Sequence, residues 1–220
     1  MINLDTALTA LKVLFSSKIR GMGKIVLKEY GKGIQPASVF TGPEELTKIL
    51  EQSNRRQNSL AVGIAVRHPE FSILGGSQGR RADCIAVETL KVDFDAHKTP
   101  AGLKLALSEK LIECVYLAIK RAPVYPSMIV ESGGGLHAYY RLNIPALLAD
   151  EEIVPRIESL NQAIMSYFED LSLPCKIDTK VKDISRIMRL PGSVNFGYDS
   201  PRPVSILETS DYNYSLEELD

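Results

Sequence analysis

Apolar positions recur at helical spacing near the N-terminus, where Leu4, Leu8, Leu11 and Leu14–Phe15 mark an amphipathic helix. Residues 18–40 carry scattered Lys, Arg and Gly around a strand-like piece, KIVLKEY. GPEELTKILEQ at 42–52 predicts a helix with acidic residues in its first turn. SLAVGIAVR at 59–67 predicts a buried strand, and 68–82 a loop rich in Gly, Ser and Arg. CIAVETLKVDFD at 84–95 predicts one bent strand or two short ones. A long amphipathic helix is expected over 101–122. SMIVES at 127–132, a Gly turn and LHAYYRL at 136–142 predict a hairpin. Pro155 opens a helix to about Leu171, DISRIMRLPG at 183–192 predicts a helical turn, and PVSILE at 203–208 a last strand. Strands and helices mix without regular βα alternation, which argues for an α+β class.

The chain has 220 residues, 45% of them apolar and 24% charged, with a mean hydropathy of −0.03. These values fit a globular protein with a real core and exclude wholesale disorder, a collagen-like fibre and a membrane bundle. No apolar run approaches the roughly 18 residues of a membrane span. The first residues lack a signal peptide's basic start and cleavage site. Cys84, Cys114 and Cys175 lie too far apart for a zinc knuckle or a disulfide framework, so a cytoplasmic setting and buried, inert thiols are expected, with no zinc site. SLEELD at 215–220 has capping-box spacing, Ser215 to Glu218, and reads as a helix that continues into a longer protein. Net charge is −1, so any nucleic-acid contact must come from a local basic patch.

Three stretches carry chemistry. In VDFD, Asp93 and Asp95 are two apart on a strand and face one way, while Val92 and Phe94 face the other. Two adjacent carboxylates repel, and a divalent cation removes that penalty; oxygen ligands suit Mg²⁺ or Mn²⁺. Alone, such a pair also reads as a strand end entering a polar loop. In ESGGGLHAYYRL, Ser132 and His137 flank Gly133, Gly134 and Gly135, whose backbone N–H groups could approach a phosphate. It reads equally as a Gly-rich hairpin loop. In CKIDTKVKDISRIMRLPGSVN, five basic residues (Lys176, Lys180, Lys182, Arg186 and Arg189) surround Asp178 and Asp183. Arginine suits bidentate phosphate contacts, although a solvated charged face has the same composition. Together the three supply the parts of two-metal nucleotidyl transfer.

In this order the stretches resemble motifs I, II and III of the archaeo-eukaryotic primase (AEP) superfamily, in the style of its phage, plasmid and CRISPR-associated primase-polymerases (PrimPols). Val92-Asp93-Phe94-Asp95 matches hydrophobic-DxD. Ser132 and His137 match the second motif. Ile177-Asp178 followed by Arg186, Arg189 and Pro191-Gly192-Ser193 matches the third. The similarity spans about residues 59–208 of a single catalytic domain, with 1–58 as an N-terminal extension and helical C-terminal domains beyond Asp220. It implies an N-terminal α/β unit packed on an RRM-like unit, with the active site between them. Asp93, Asp95 and Asp178 would be catalytic and hold two divalent metal ions, with Asp183 a rival for the third position. Ser132, Gly133–Gly135, His137, Arg186, Arg189, Ser193 and Asn195 would bind the nucleotide. The implied partners are a DNA template and primer, dNTPs or NTPs, and helicase, CRISPR or accessory domains outside this chain.

The resemblance also has departures. NFGY follows the PGSVN segment where relatives often place a lysine, and three isolated cysteines cannot build a priming zinc knuckle. Templated extension is therefore better supported than priming from nothing. A catalytically retired template-binding module and a template-independent nucleotidyltransferase are the alternative readings. Among single residues, His97 could reach the site and His68 is structural. Arg67, Arg80 and Arg81 could meet phosphates, although paired arginines read more simply as solvated, and core packing is expected for both Tyr139 and Tyr140, with stacking of one on a sugar or base as the alternative.

Overall fold

The computed structural model describes residues 2–31, 33, 35–96 and 105–220; His97 and the start of the helix expected over 101–122 lie outside them. In chain order the elements are α1 (Leu4–Leu14), α2 (Ser17–Arg20), β1 (Val26–Tyr30), β2 (Ala37–Val39), α3 (Pro43–Arg55), β3 (Ser59–Gly63), β4 (Ala65–Arg67), β5 (Cys84–Asp95), α4 (Glu109–Lys120), β6 (Met128–Glu131), β7 (Leu136–Leu147) and α5 (Ile153–Asp170). β8 (Lys176–Ile177), β9 (Ile187–Arg189), β10 (Val194–Asn195), β11 (Arg202–Pro203), β12 (Ser205–Thr209), β13 (Asn213–Tyr214) and α6 (Leu216–Leu219) complete the chain. The class is α+β, as the pattern predicts.

Two antiparallel sheets organise the molecule. The larger runs β12-β6-β7-β5-β4, with β8 on the other stretch of the β5 edge and β13 alongside β7. Within it, β5-α4-β6-β7-α5-β8 pair in the order β8-β5-β7-β6, the split βαβ connectivity. The smaller sheet runs β2-β1-β3-β9. Alternation along β5 sends Val92 and Phe94 to the helical face, both fully buried, with the Phe94 ring edge-on to Phe168 of α5 at 5.0 Å. Asp93 and Asp95 take the opposite face.

Local chemistry explains most element ends. Asn3 caps α1 through Oδ1, which accepts the Thr6 N–H at 3.0 Å. Pro43 opens α3 with Glu44 and Glu45 in its first turn. Three expectations are corrected. The SLAVGIAVR run is two strands, because the chain leaves one sheet for the other at Ile64, whose N–H bonds the Arg186 carbonyl at 3.2 Å. Within the described part of the helix expected over 101–122, residues 105–108 are not helical: Ser108 caps α4, and the Leu107 N–H is taken by the Gly134 carbonyl at 2.8 Å. The 183–192 segment is not a helical turn: Ile187–Arg189 pair with Ala61–Gly63, and the 3-10 turn lies earlier, over Thr179–Lys182.

Pro191-Gly192 serves the fold as well. Gly192 has φ 82°, and a Cβ there would lie 2.1 Å from the Asn3 carbonyl, so the turn must be glycine for α1 to dock. The Gly192 carbonyl in turn accepts the Asn3 N–H at 2.7 Å. Among the described residues no helix is long and apolar enough to cross a membrane.

Candidate active site

The exposed end of β5 places Asp93 and Asp95 on the wall of a cleft of about 320 Å³. β7 lies beside it in register, so His137 stands directly opposite Asp93. β8 closes the other side: Ile177 pairs with Phe94, and the Asp178 N–H donates to the Asp93 carbonyl at 3.0 Å. Backbone pairing alone therefore brings His137, Asp93 and Asp178 together from segments 40 residues or more apart in sequence. The facing wall comes from β9 and its approach, which contribute Arg186, Met188 and Arg189.

The side chains interlock. His137 Nε2 lies 3.6 Å from Asp93 Oδ1, and its Nδ1 is 3.0 Å from the Tyr139 hydroxyl. Burial, then the Asp93 charge, pushes Tyr139 well above its ordinary value, so it remains a hydroxyl that steadies the imidazole. One Nη of Arg186 is 3.7 Å from Asp178 Oδ2. Burial draws the Arg189 guanidinium below its ordinary value, and Tyr198, Asp93, Tyr30 and Asp95 counter that by charge. Burial, then Asp95, pushes Tyr198 up to about 12.

Asp178 and Asp183 are treated differently by the fold. Asp178 lines the cleft. Asp183 is turned away, its Oδ1 accepting the Ser185 N–H at 2.7 Å and the Ser185 hydroxyl at 2.8 Å. Burial raises the Asp183 carboxyl, but those bonds and the Lys91 and Arg81 charges outweigh it and hold it below its ordinary value.

Of the residues singled out by sequence, Asp93, Asp95, Ser132, His137, Asp178, Arg186, Arg189 and Asn195 line this one cleft. Gly133–Gly135 and Ser193 do not. The three glycines are buried beneath neighbours: a Cβ on Gly135 would lie 1.8 Å from the Phe94 carbonyl, and one on Gly134 would lie 1.8 Å from the Tyr198 hydroxyl. The Gly135 N–H is bound to Ser132 Oγ at 3.2 Å. Close packing accounts for Gly134 and Gly135, and the φ of 77° for Gly133. Ser193 Oγ donates to the Leu190 carbonyl at 2.6 Å and braces the Pro-Gly turn. Asn195 is a clamp, with Nδ2 on the Ser132 carbonyl at 2.8 Å and Oδ1 on the Gly197 N–H at 3.0 Å.

Other candidates have structural places. Arg67 is fully buried, its guanidinium bonded to the Gln78, Ala65 and Ser185 carbonyls at 3.1, 2.6 and 2.9 Å, so it is no phosphate contact. Arg81 pairs with Glu158 at 3.0 Å. His68 Nδ1 accepts the Glu70 N–H at 3.2 Å, and Tyr139 and Tyr140 are both fully buried. Cys84 and Cys175 are buried as expected, but Cys114 is exposed because its position on α4 faces outward. Sequence reasoning missed Tyr30, Gln78 and Tyr198 in the cleft. Only the departure at NFGY pointed towards Tyr198.

No protein-family model matches the chain, and no curated protein matches it by sequence. Solved structures do match. The AEP domain of the cyanophage S-2L primase-polymerase aligns with a TM-score of 0.66 at 15% identity, covering 99% of this chain and 96% of that one. The primase RepB′ gives 0.58 at 14% identity, over 98% of this chain and 61% of that one. The catalytic domain of primase RepB′ in complex with initiator DNA gives 0.55 at 14% identity, over 98% and 92%. The chain therefore has the fold of an archaeo-eukaryotic primase catalytic domain. At such identities the likeness carries the fold, and the chemistry has to be argued from the cleft.

The carboxylates fit a hard divalent cation. All three line one cleft, although among the described residues no three His, Cys, Asp or Glu side chains stand together as a metal-holding group. Carboxylate oxygens suit Mg²⁺, which is usually held by one or two carboxylates plus substrate phosphates.

Proposed function

We propose that this chain is the catalytic core of a primase-polymerase, transferring nucleotides from dNTPs or NTPs to a 3′-OH on a DNA template. The observation that carries the reading is the convergence of Asp93, Asp95, Asp178, His137, Arg186 and Arg189 on one cleft of an AEP fold. The likeness to a domain solved with initiator DNA supports DNA as the polymer.

Asp93, Asp95 and Asp178 would hold the divalent ions. A bound divalent cation polarises phosphoryl oxygens and lowers the pKa of an attacking hydroxyl. The protein's own part is positioning and charge. Arg189, deep in the cleft, and Arg186, nearer the mouth, neutralise phosphate oxygens. His137 contacts the nucleotide's phosphates, its ring steadied by Tyr139. Asn195 acts indirectly, by tying the Ser132 strand end to the Asn195–Tyr198 segment. Ser132 would meet the nucleotide only if its hydroxyl left Gly135.

The test is extension of a labelled primer on a DNA template, with Mg²⁺ or Mn²⁺ and a no-template lane. The expected result is template-dependent growth that the Asp93→Ala/Asp95→Ala variant loses. Growth without template would favour a nucleotidyltransferase acting on free nucleotides instead.

A further inference from the structure

The five cations from Lys176 to Arg189 are sorted by depth. Arg189 lies inside the cleft, where burial acts on its guanidinium. Arg186 stands nearer the mouth, its side chain 41% exposed. Lys176, Lys180 and Lys182 are exposed outside. The cause is local. Val181 is buried and anchors the 3-10 turn, so the lysines on either side of it project outward. Lys176 pairs with Asp95 across β8 and β5, and Ile177 beside it enters the core, so alternation sends Lys176 out.

Neither carboxylate of the segment neutralises this outer face. Asp178 turns to the Lys180 N–H, at 3.1 Å, and towards Arg186. Asp183 is bound to Ser185. Among the described residues, none of the three lysines has a carboxylate within ion-pair distance. Among the described residues, a chain with net charge −1 thus has three exposed lysines without an ion pair on the segment that lines its carboxylate cleft.

We propose that Lys176, Lys180 and Lys182 form a lip that holds the phosphodiester backbone of a single nucleic-acid strand as it enters the cleft. The inference rests on the nucleotidyl-transfer reading and adds the surface that receives the polymer. The division of labour follows from side-chain chemistry. Arginine's rigid fork suits fixed phosphates inside a site, whereas a lysine on a flexible stem is a mobile point charge suited to a backbone read without sequence.

The experiment measures binding of a fluorescent single-stranded oligonucleotide to the full chain by anisotropy, across a salt series. It compares wild type, Lys180→Gln/Lys182→Gln and a control, Lys12→Gln/Lys18→Gln, whose lysines are also exposed. Circular dichroism checks the fold. Each phosphate contact on a single strand adds about 0.7 to the log–log salt slope, so the lip variant should have a slope shallower by about 1.4. Its binding should be on the order of tenfold or more weaker at about 0.1 M salt. The control should match wild type. Unchanged affinity and slope in a folded lip variant, equal losses in both pairs, or no binding by wild type would each overturn the lip. The catalytic reading fails separately. If the Asp93→Ala/Asp95→Ala variant extends primers like wild type while the lip variant loses binding, the lip stands and the metal assignment falls.

Discussion

The DFD end of β5 and the Gly133–Gly135 turn meet across the β5–β7 pairing, and both stood out in the sequence as ligand-binding. The fold uses them in opposite ways. At Asp93 and Asp95 the strand period does the placing: a buried Phe94 fixes the face, and the carboxylates have no choice but the cleft. At the turn, Gly134 and Gly135 are needed because the Tyr198 hydroxyl and the Phe94 carbonyl come where a Cβ would stand, and Gly133 because its φ is 77°. A periodic pattern reports direction, whereas a glycine run reports only that something is close. What is close can be a phosphate or the protein itself.

This contrast yields graded predictions. The largest effect belongs to the strand. Asp93→Ala/Asp95→Ala should lower primer extension by at least about a hundredfold, the scale set by losing preorganised transition-state electrostatics. Its melting temperature should stay near that of wild type, because the lost repulsion between the carboxylates offsets their lost attraction for Arg189. A variant that unfolds would show that the pair supports the fold instead.

Next comes the third carboxylate. Asp178→Asn should abolish extension with little loss of stability. Asp183→Ala should cost roughly 1–2 kcal/mol, by releasing the Ser185 bonds, and leave measurable activity. The reverse pattern, read by denaturant melts alongside the extension assay, would exchange their roles.

The turn should answer in stability first. Gly135→Ala sets a Cβ against the Phe94 carbonyl, a backbone atom, and should destabilise by roughly 3 kcal/mol. Gly134→Ala meets only the end of the Tyr198 side chain, which can swing, and should cost less. Nucleotide affinity falling in Gly134→Ala at unchanged stability would return the turn to a direct role.

The buried support behind the site should show itself only as a pH dependence. Lys91 shares the Asp93 face of β5, is 2% exposed, and its Nζ donates to the Asp183 carbonyl at 3.1 Å. Burial lowers it from 10.5 to about 8, against the charges of Asp183 and Glu158. Between those values the unfolded chain binds more protons than the folded one, so stability should rise as pH climbs from about 8 to 10.5. The gain is roughly 3 kcal/mol at most. Lys91→Met should flatten that slope in urea melts; an equal slope in both proteins would assign it elsewhere.

The same contrast explains what the sequence made legible. α1, α3, the Met128–Leu147 hairpin and the cleft carboxylates were readable because each is written in local periodicity or capping. The break at Ile64 was not, because an apolar run looks the same whether it stays in one sheet or crosses between two. Ile187–Arg189 reads locally as a charged turn and becomes a strand only through β3. Tyr30 and Gln78 enter the cleft from segments with no local signal, far in sequence from the motifs, whereas Tyr198 closes the NFGY departure beside the third motif.

The most direct test of the central claim is a crystal structure grown with Mn²⁺ and a non-hydrolysable dNTP, recorded at the manganese edge. The account predicts anomalous density against Asp93, Asp95 and Asp178, with the triphosphate directed towards His137, Arg186 and Arg189. Nucleotide bound away from this cleft, or manganese at Asp183 with Asp178 bare, would contradict it.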